Sequence, residues 1–215
     1  MIKTILFDFD GVIVESVDIK TEAFRDLFKM EKSESLDQIL EYHKIHGGID
    51  RKNKIIYFYK NILKRELSDK KLEELINKFS ILVKDKVIHA EYVKGAKAFI
   101  ENNYKKYNCY IVTGTPQNEI DEIIEKRRLK PYFKKIYGYP PGKTKLIKKI
   151  ILDIGENKKN MVFIGDSIDD LKGAIETGVR FIGRLIVGKK NREFKKGNFP
   201  LIADFEGIED VISTL

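Results

Sequence analysis

The chain has 215 residues, 42% of them apolar and 34% charged, with a formal net charge of +8. This length is enough for one core domain with a smaller one attached, and a single cysteine, Cys109, excludes an internal disulfide and argues against a cysteine-based zinc site. Asp8 and Asp10 interrupt the N-terminal apolar run, and no apolar stretch approaches the ~18 residues of a membrane-spanning helix. We therefore expect a cytoplasmic protein with neither a signal peptide nor a membrane span.

The positive charge is spread along the chain. Its densest run covers residues 189–196, and elsewhere lysines stand beside glutamates along amphipathic segments. Dispersed charge of this kind is typical of a solvated surface, so we expect no nucleic-acid partner. The same charge would help to attract anionic small molecules.

The predicted elements begin with a strand over residues 3–8, an apolar run that ends in Asp8. Residues 17–86 contain no strand pattern but four helical patterns, in which apolar residues recur three and four positions apart. The residues that mark these four helices are Ala23, Phe24, Leu27 and Phe28; Leu36, Ile39, Leu40 and His43; Ile55, Ile56, Tyr59, Ile62 and Leu63; and Leu72, Leu75, Ile76, Phe79 and Leu82. Ser68 is the expected N-cap of the fourth helix.

Beyond residue 90, predicted strands alternate with predicted helices. The strands cover 108–112, 135–137, 160–164, 179–187 and 201–203, and the helices cover 94–106, 116–128, 145–152 and 168–176. Alternation of this kind predicts an α/β fold with a parallel sheet covered by helices on both faces. The expected organisation is a core domain of residues 1–15 and 88–215, interrupted by a helical domain of residues 16–87.

Two carboxylates follow the first predicted strand. Asp8 and Asp10 stand at its carboxyl end, where the active sites of open α/β sheets lie. Because side chains alternate along a strand, both carboxylates can point to one side. Two anions held close together in a partly dry cleft repel each other unless one takes a proton or a cation joins them, and a hard cation such as Mg²⁺ suits carboxylate oxygens.

A second acidic cluster follows the predicted strand over 160–164. Asp166 comes just after this strand, and Asp169 and Asp170 lie in the first turn of the next helix, where the helix dipole favours anions. In a parallel sheet, this strand end and that of residues 3–8 can meet across one site. The second cluster therefore supports the expected cation.

Two further segments suit a phosphate group. Thr113 and Gly114 end the strand over 108–112 ahead of a helix, where a hydroxyl and backbone N–H groups can bind phosphate oxygens. The alternative is that Thr113 only caps the helix. Lys143 precedes a predicted helix and could neutralise phosphate, although a lysine in a loop is often simply exposed.

These segments together resemble a known family. The DFDG of residues 8–11, the TGT of residues 113–115, Lys143 before a helix and the GDSIDD of residues 165–170 resemble, in this order, the four motifs of the haloacid dehalogenase superfamily. The inserted helices resemble the family's C1-type cap, and the pattern is similar to that of the branch that contains phosphoglycolate phosphatase and β-phosphoglucomutase. The resemblance covers the whole chain and implies a Rossmann-like core domain in a Mg²⁺-dependent phosphatase of a small phosphorylated metabolite.

The resemblance also implies roles for the aspartates. Asp8 would be the nucleophile that forms an aspartyl-phosphate, and Asp10 would protonate the leaving group and then deprotonate water. Asp8, the backbone carbonyl of Asp10, and Asp166 would bind the metal. Asp170, or as a weaker choice Asp169, would support the metal from farther away or through water.

The remaining motif residues would handle the phosphoryl group. Thr113 and the N–H of Gly114 would hold it, and Lys143 would offset its charge and orient the nucleophile. The segment here reads PPGKTK over residues 140–145, so Lys145 competes with Lys143 for this role.

Specificity is expected from the cap. The candidate loop is HGGIDRKNK, residues 46–54, in which Gly47 and Gly48 allow a close approach and Arg51 can reach an anion. The alternative for Arg51 is an exposed position in a turn between helices. A phosphomutase that transfers the phosphoryl group to a sugar hydroxyl and a non-catalytic binding protein stay open as other functions, and the sequence indicates neither the metabolite nor the oligomeric state.

Overall fold

The computed structural model describes residues 1–186, 194 and 197–215. The predicted strand end at Val187 and most of the basic run over residues 189–196 lie outside the described residues. Among the helices of the described part of the chain, none combines the length and the apolar composition that crossing a lipid bilayer requires.

The chain alternates strands and helices after a block of helices. The strands are β1 Thr4–Phe7, β2 Asn108–Pro116, β3 Lys135–Tyr139, β4 Met161–Gly165, β5 Arg180–Arg184 and β6 Leu201–Ile202. The helices are α1 Val17–Leu27, α2 Ser33–Ile45, α3 Arg51–Tyr57, α4 Asp69–His89, α5 Ala96–Asn103, α6 Gln117–Lys126, α7 Lys143–Ile154, α8 Ile168–Thr177 and α9 Ile208–Ser213. A π-helical segment covers Phe58–Leu63, and 3₁₀ turns cover Lys130–Tyr132 and Lys158–Asn160.

The strands form one six-stranded sheet in the order β3-β2-β1-β4-β5-β6, with every pair parallel. Phe7 in β1 pairs with Ile111 in β2 and with Ile164 in β4, so these three strands reach the same edge of the sheet together. Ile5 and Phe7 enter one hydrophobic cluster, and Leu6 enters a second one that includes residues of α7 and α8. The predicted α/β fold with a parallel sheet buried on both faces is confirmed.

Helices α1 to α4 with the π-helical segment, residues 17–89, form what we call the helical insert. Its centre is aromatic: the ring of Phe24 lies 5.4 Å from that of Phe58 and 4.4 Å from that of Phe79. Ser68 caps α4 as predicted, since its side chain accepts a hydrogen bond from the backbone N–H of Lys71 at 3.3 Å. The domain boundaries near residues 15 and 88 stay a prediction.

Several element bounds and types differ from the prediction, and four of the differences concern the site or a whole element. Strand β2 continues to Pro116, which becomes the N-cap of α6 instead of its first residue. Helix α7 begins at Lys143 itself, before the predicted start at 145. The third predicted helix changes to π geometry at Phe58, because apolar residues three and four positions apart do not distinguish the two helix types. Helix α9 was not predicted, because its six residues are too few for a clear pattern.

Candidate active site

The carboxyl edge of the sheet brings the predicted motif residues to one cavity. Asp8 and Asp10 follow β1, Thr113 and Gly114 lie at the end of β2, and Lys143 begins α7; all of them line a cavity of about 30 Å³. Residues of the helical insert line its other side. A cavity of this size has room for roughly one or two water molecules, so the insert is closed over the motif residues.

Asp8 is the central carboxylate and is 3% exposed. Its Oδ1 accepts a hydrogen bond from the backbone N–H of Phe9 at 2.7 Å, and its Oδ2 lies 2.8 Å from the Nζ of Lys143. Burial raises the pKa of Asp8 well above its usual value, and the carboxylates of Asp170 and Asp166 add to this, while Lys143 opposes it. Positive charge close to Asp8 is therefore needed to keep it ionised.

Lys143 supplies part of that charge. Its Nζ lies 2.8 Å from Asp8 and 2.5 Å from the Oδ1 of Asp170, and the residue is 6% exposed. Burial alone would lower the pKa of Lys143, but the two carboxylates outweigh burial and raise it, so the ammonium stays charged. Lys145, the competitor in the sequence, is exposed on the surface. The structure thus brings Lys143, and not Lys145, to the site.

The second acidic cluster lies beside Asp8. Oxygens of Asp8, Asp166 and Asp170 come within 4.8 Å of one another, and all three residues are buried. Asp170 also forms a capping box at the start of α8: its Oδ2 accepts hydrogen bonds from the N–H and the hydroxyl of Ser167 at 3.1 and 2.6 Å. Asp169 is not in the cluster; its Oδ2 lies 3.9 Å from the Nδ1 of His46 in the helical insert.

This cluster fits a hard divalent cation. Three buried carboxylates within such short distances repel one another, and the single charge of Lys143 offsets only part of the charge of Asp8 and Asp170, the two carboxylates that it contacts. Carboxylate oxygens are the ligands that Mg²⁺ prefers. Both oxygens of Asp170 already accept hydrogen bonds from Lys143 or Ser167, so Asp170 suits a supporting position better than a direct one.

Asp10 has a different environment. Its Oδ1 accepts a hydrogen bond from the hydroxyl of Ser16 at 2.6 Å, and its Oδ2 accepts one from Thr115 at 3.0 Å and pairs with the ammonium of Lys20. Burial alone would raise the pKa of Asp10, but the charge of Lys20 and these hydrogen bonds outweigh it and hold the pKa below its usual value. In this closed arrangement Asp10 is therefore ionised and can accept a proton.

Thr113 and Gly114 form the wall where β2 ends. Thr113 is 1% exposed, and its hydroxyl accepts a hydrogen bond from the N–H of Thr115 at 3.2 Å, within the irregular last part of β2 and not at the N-cap of α6, which is Pro116. A Cβ on Gly114 would lie 2.8 Å from the backbone oxygen of Gly48 in the helical insert. The absence of a side chain at Gly114 therefore lets the insert approach this part of the site.

Gly47 and Gly48 lie where the sequence predicted a close approach. A Cβ on Gly48 would lie 2.7 Å from the hydroxyl oxygen of Ser167 and 3.3 Å from the Nζ of Lys143, and one on Gly47 would lie 3.3 Å from the Cβ of Ser167. The loop that joins α2 to α3 is thus packed directly against the ends of β4 and α7. Larger residues at Gly48 would hold the insert away from the core.

Arg51 lines the cavity but already has an anionic partner. Its guanidinium contacts Glu119 of α6 at 2.8 and 2.5 Å and the hydroxyl of Ser80 at 2.5 Å, and it lies 4.7 Å from the ring centre of Phe79. We call the Arg51–Glu119 contact the insert–core ion pair. The arginine is 7% exposed, so the alternative of an exposed turn residue is wrong.

Several residues around the cavity were given no functional role of their own in the sequence analysis. They are Lys20, His43, Lys54, Thr115 and the Arg51 partner Glu119. The sequence does carry a signal for Lys54. Lys54, Ile55 and Phe58 follow Arg51 by three, four and seven positions, and all four residues lie on one buried stripe of α3 and the π-helical segment that follows. A basic residue on a buried apolar stripe is unusual and points to a partner.

The chain is similar in sequence to known proteins. A family model described as haloacid dehalogenase-like hydrolase matches residues 5–184. A phosphoglycolate phosphatase of Sulfolobus acidocaldarius is 27% identical over an alignment that covers 93% of this chain and 89% of that protein.

Solved structures share the fold. CbbY from Rhodobacter sphaeroides, crystallised in complex with phosphate, has a TM-score of 0.77 at 17% identity and covers 97% of this chain and 96% of its own. The HAD-hydrolase YfnB from Bacillus subtilis, bound to magnesium, has a TM-score of 0.71 at 19% identity and covers 99% of each chain. The family match spans most of the chain and includes every motif residue described above, and the protein belongs to the haloacid dehalogenase-like hydrolases.

Proposed function

We propose that the protein is a Mg²⁺-dependent phosphatase that hydrolyses a small phosphorylated metabolite through an aspartyl-phosphate on Asp8. The observation that carries this proposal is the pairing of buried Asp8 with Lys143 at 2.8 Å, in a cavity also lined by Asp10, Thr113 and Gly114. The phosphatase identity of the Sulfolobus relative and the phosphate bound to CbbY support it.

In the first step, an oxygen of Asp8 attacks phosphorus and the bond from phosphorus to the leaving oxygen breaks. Lys143 orients Asp8 and offsets the charge of the phosphoryl group, while Thr113 and the N–H of Gly114 hold its oxygens. Asp10 gives its proton to the leaving oxygen. Lys20, which comes from the helical insert, favours the ionised form of Asp10, so Asp10 must carry its proton before the insert closes over the substrate.

In the second step, water attacks phosphorus and the bond to Asp8 breaks. Asp10 is now ionised, which is the form that its contacts in the closed arrangement favour. It takes the proton of the attacking water. Hydrolysis thus returns both carboxylates to the state in which they began, with Asp8 ionised and Asp10 carrying the proton that the next leaving group will receive.

The acidic cluster would hold the magnesium ion. Asp8, Asp166 and the backbone carbonyl of Asp10 would be the protein ligands, with Asp170 in support. Bound there, Mg²⁺ would supply positive charge that lessens the repulsion between an anionic nucleophile and an anionic phosphate. The helical insert would serve as the cap, and it must open to admit a substrate because the closed cavity holds only about 30 Å³.

The test is release of p-nitrophenol from p-nitrophenyl phosphate, with Mg²⁺ and with EDTA. We expect Mg²⁺-dependent release that Asp8→Asn abolishes and that Asp26→Asn, an exposed aspartate on α1, leaves unchanged. Release that survives in Asp8→Asn would refute the assignment of the nucleophile. A phosphomutase would instead require a bisphosphate activator, and a binding protein would show no turnover. No contact or distance among the described residues favours either of these two functions over a phosphatase.

A further inference from the structure

A buried arginine lies behind the loop that carries Asp10. This loop, residues 10–15, leads from the end of β1 towards α1, and we call it the Asp10 loop. Arg184 is the last residue of β5, two strands along the sheet from β1, and it is 5% exposed. An arginine buried to this extent needs partners for its charge and for its five N–H donors. The proposed reaction steps do not use Arg184, so its partners are the guide to its role.

The guanidinium of Arg184 joins the Asp10 loop to the core. Its Nη1 donates to the backbone oxygen of Gly11 at 3.0 Å, and Nη1 and Nη2 lie 2.9 and 2.5 Å from the two carboxylate oxygens of Glu15. Its Nε donates to the backbone oxygen of Ala203, just after β6, at 3.1 Å. The two contacts with Glu15 form a fork, which fixes the plane of the guanidinium. Arg184 thus holds the Asp10 loop at two points.

Gly11 is the residue at which the Asp10 loop turns. Its φ is +75°, in the left-handed region, and its N–H donates to the backbone oxygen of Val14 at 2.8 Å. Its carbonyl accepts from Arg184, so the peptide groups on both sides of Gly11 are anchored. Because a trans peptide is planar, the carbonyl of Asp10 points away from the N–H of Gly11, and fixing one fixes the other. The direction of the Asp10 carbonyl therefore depends on the loop that Arg184 holds.

The other side of the Asp10 loop packs against the acidic cluster. A Cβ on Gly11 would lie 2.8 Å from the Oδ2 of Asp166, so the loop backbone comes close to that carboxylate. Ser16, the residue after the loop, donates to the carboxylate of Asp10 at 2.6 Å. A displacement of the loop would thus move the carbonyl of Asp10, its carboxylate and their distances to Asp166 together.

We propose that Arg184 is a positioning residue of the active site. By holding Gly11 and Glu15, it keeps the carbonyl of Asp10 in place as a metal ligand and the carboxylate of Asp10 in place for proton transfer. This rests on the proposed function and adds to it a residue of a strand away from the reacting atoms. Of the two contacts, the one to Gly11 acts on Asp10 directly, because the two residues share a peptide group.

The test measures Mg²⁺ binding and turnover of p-nitrophenyl phosphate in Arg184→Met, which keeps an aliphatic stem but loses every N–H donor of the guanidinium. Residues that orient metal ligands typically change metal affinity or activity by about 10- to 100-fold. We expect the Kd of Mg²⁺, obtained from the dependence of Tm on Mg²⁺ concentration, to rise by about tenfold or more. At saturating Mg²⁺, kcat should fall by about tenfold or more while KM stays within about threefold, because Thr113, Gly114 and Lys143 are unchanged.

Two further variants separate this role from a general effect on the fold. Arg180→Met, at the opposite end of the same strand, is the matched control and should keep the wild-type Kd and kcat. Glu15→Gln removes the ion pair but leaves Arg184 free to donate to Gly11, so its Kd and kcat should stay within about threefold of the wild-type values.

Two results would overturn the inference while the proposed function stands. One is a folded Arg184→Met variant with the wild-type Kd and kcat, whatever its Tm; the other is an equal loss in Arg184→Met and Glu15→Gln, which would assign the effect to the ion pair. If Arg184→Met fails to fold, Arg184→Lys, which keeps the charge without the planar fork, takes its place; it should lose about threefold or more in kcat, and wild-type values would overturn the inference. A wild type that releases no p-nitrophenol with Mg²⁺ would refute the proposed function, and the inference with it.

Discussion

Substituting Lys143 by methionine tests the electrostatic organisation of the site. The variant keeps most of the aliphatic stem but removes the charge that lies between Asp8 and Asp170. Taking one partner from a buried ion pair costs about 3–5 kcal/mol, because the remaining charge is left buried without compensation. We expect the free energy of unfolding at pH 7.5, without metal, to fall by about this amount.

The loss should depend on pH in a definite direction. The pKa of Asp8 is raised in the folded state, so ionisation of Asp8 lowers the free energy of unfolding. This loss is absent at a pH below the pKa of the unfolded chain, near 3.9, and it grows as the pH rises towards the pKa of the folded state. Removing Lys143, which opposes the increase in pKa, enlarges this loss. Since one carboxyl changes the free energy of unfolding by at most about 1.4 kcal/mol per pH unit, the deficit of the variant should become smaller from pH 7.5 to pH 5.5, by no more than about 2.8 kcal/mol.

The assay is urea unfolding in EDTA followed by far-UV circular dichroism, because the chain contains no tryptophan for fluorescence. Lys145→Met, at an exposed position two residues along the same helix, is the matched control and should change stability by less than about 0.5 kcal/mol. A Lys143→Met variant within 1 kcal/mol of wild type at pH 7.5, or a deficit that stays constant down to pH 5.5, would refute the reasoning.

Three other perturbations probe closure, the insert–core ion pair and the metal. Gly48→Ala should lower kcat/KM by about tenfold or more with little change in stability, because the added methyl group would contact the core and hinder closure of the insert. Gly142→Ala is the control, since a Cβ there has no neighbour within 4 Å. Equal activity of the two variants would contradict the account. Glu119→Gln should lower the free energy of unfolding, measured in urea, by about 1–3 kcal/mol, because it removes the charge that the buried Arg51 faces. Glu122→Gln, in a more exposed ion pair, should lower it by under about 0.5 kcal/mol. Equal losses would show that the insert–core ion pair stabilises the protein no more than a surface ion pair does. Magnesium at about 100 times its Kd should stabilise the wild type by about 2.7 kcal/mol and raise its Tm, and the same concentration should do much less in Asp166→Asn; an equal shift would place the ion elsewhere.

Much of the site was predictable because parallel strands end together. Asp8, Thr113 and Asp166 are far apart in the chain, but each follows an apolar strand, and the register of β1 with β2 and β4 brings those ends to one edge. The sequence favoured Lys143 but could not exclude Lys145, because both lie near the start of one helix. Two residues apart on a helix, they face opposite sides, and only the position of α7 against the sheet decides which one is buried.

The contacts between the helical insert and the core could not be predicted from the sequence, for a different reason. Arg51 meets Glu119 across 68 positions of the chain, and Lys20 meets Thr115 across 95. No local pattern encodes such pairs, since they depend on how the insert is placed over the core. Lys54 is an intermediate case: its position on a buried stripe was visible, but the acceptors that hold it, His43 and Gly47, come from α2 and the loop that follows.

The covalent step on Asp8 is the central claim, and it can be tested by trapping the intermediate. In Asp10→Asn the base for the second step is missing, while p-nitrophenolate leaves without needing a proton, so phosphoryl-enzyme should accumulate with p-nitrophenyl phosphate and Mg²⁺. Acid quenching followed by peptide mass spectrometry should locate one phosphoryl group on Asp8, sensitive to hydroxylamine and absent from the Asp8→Asn/Asp10→Asn double variant. Steady turnover by the wild type, with no phosphoryl group on Asp8 in either enzyme, would contradict the account.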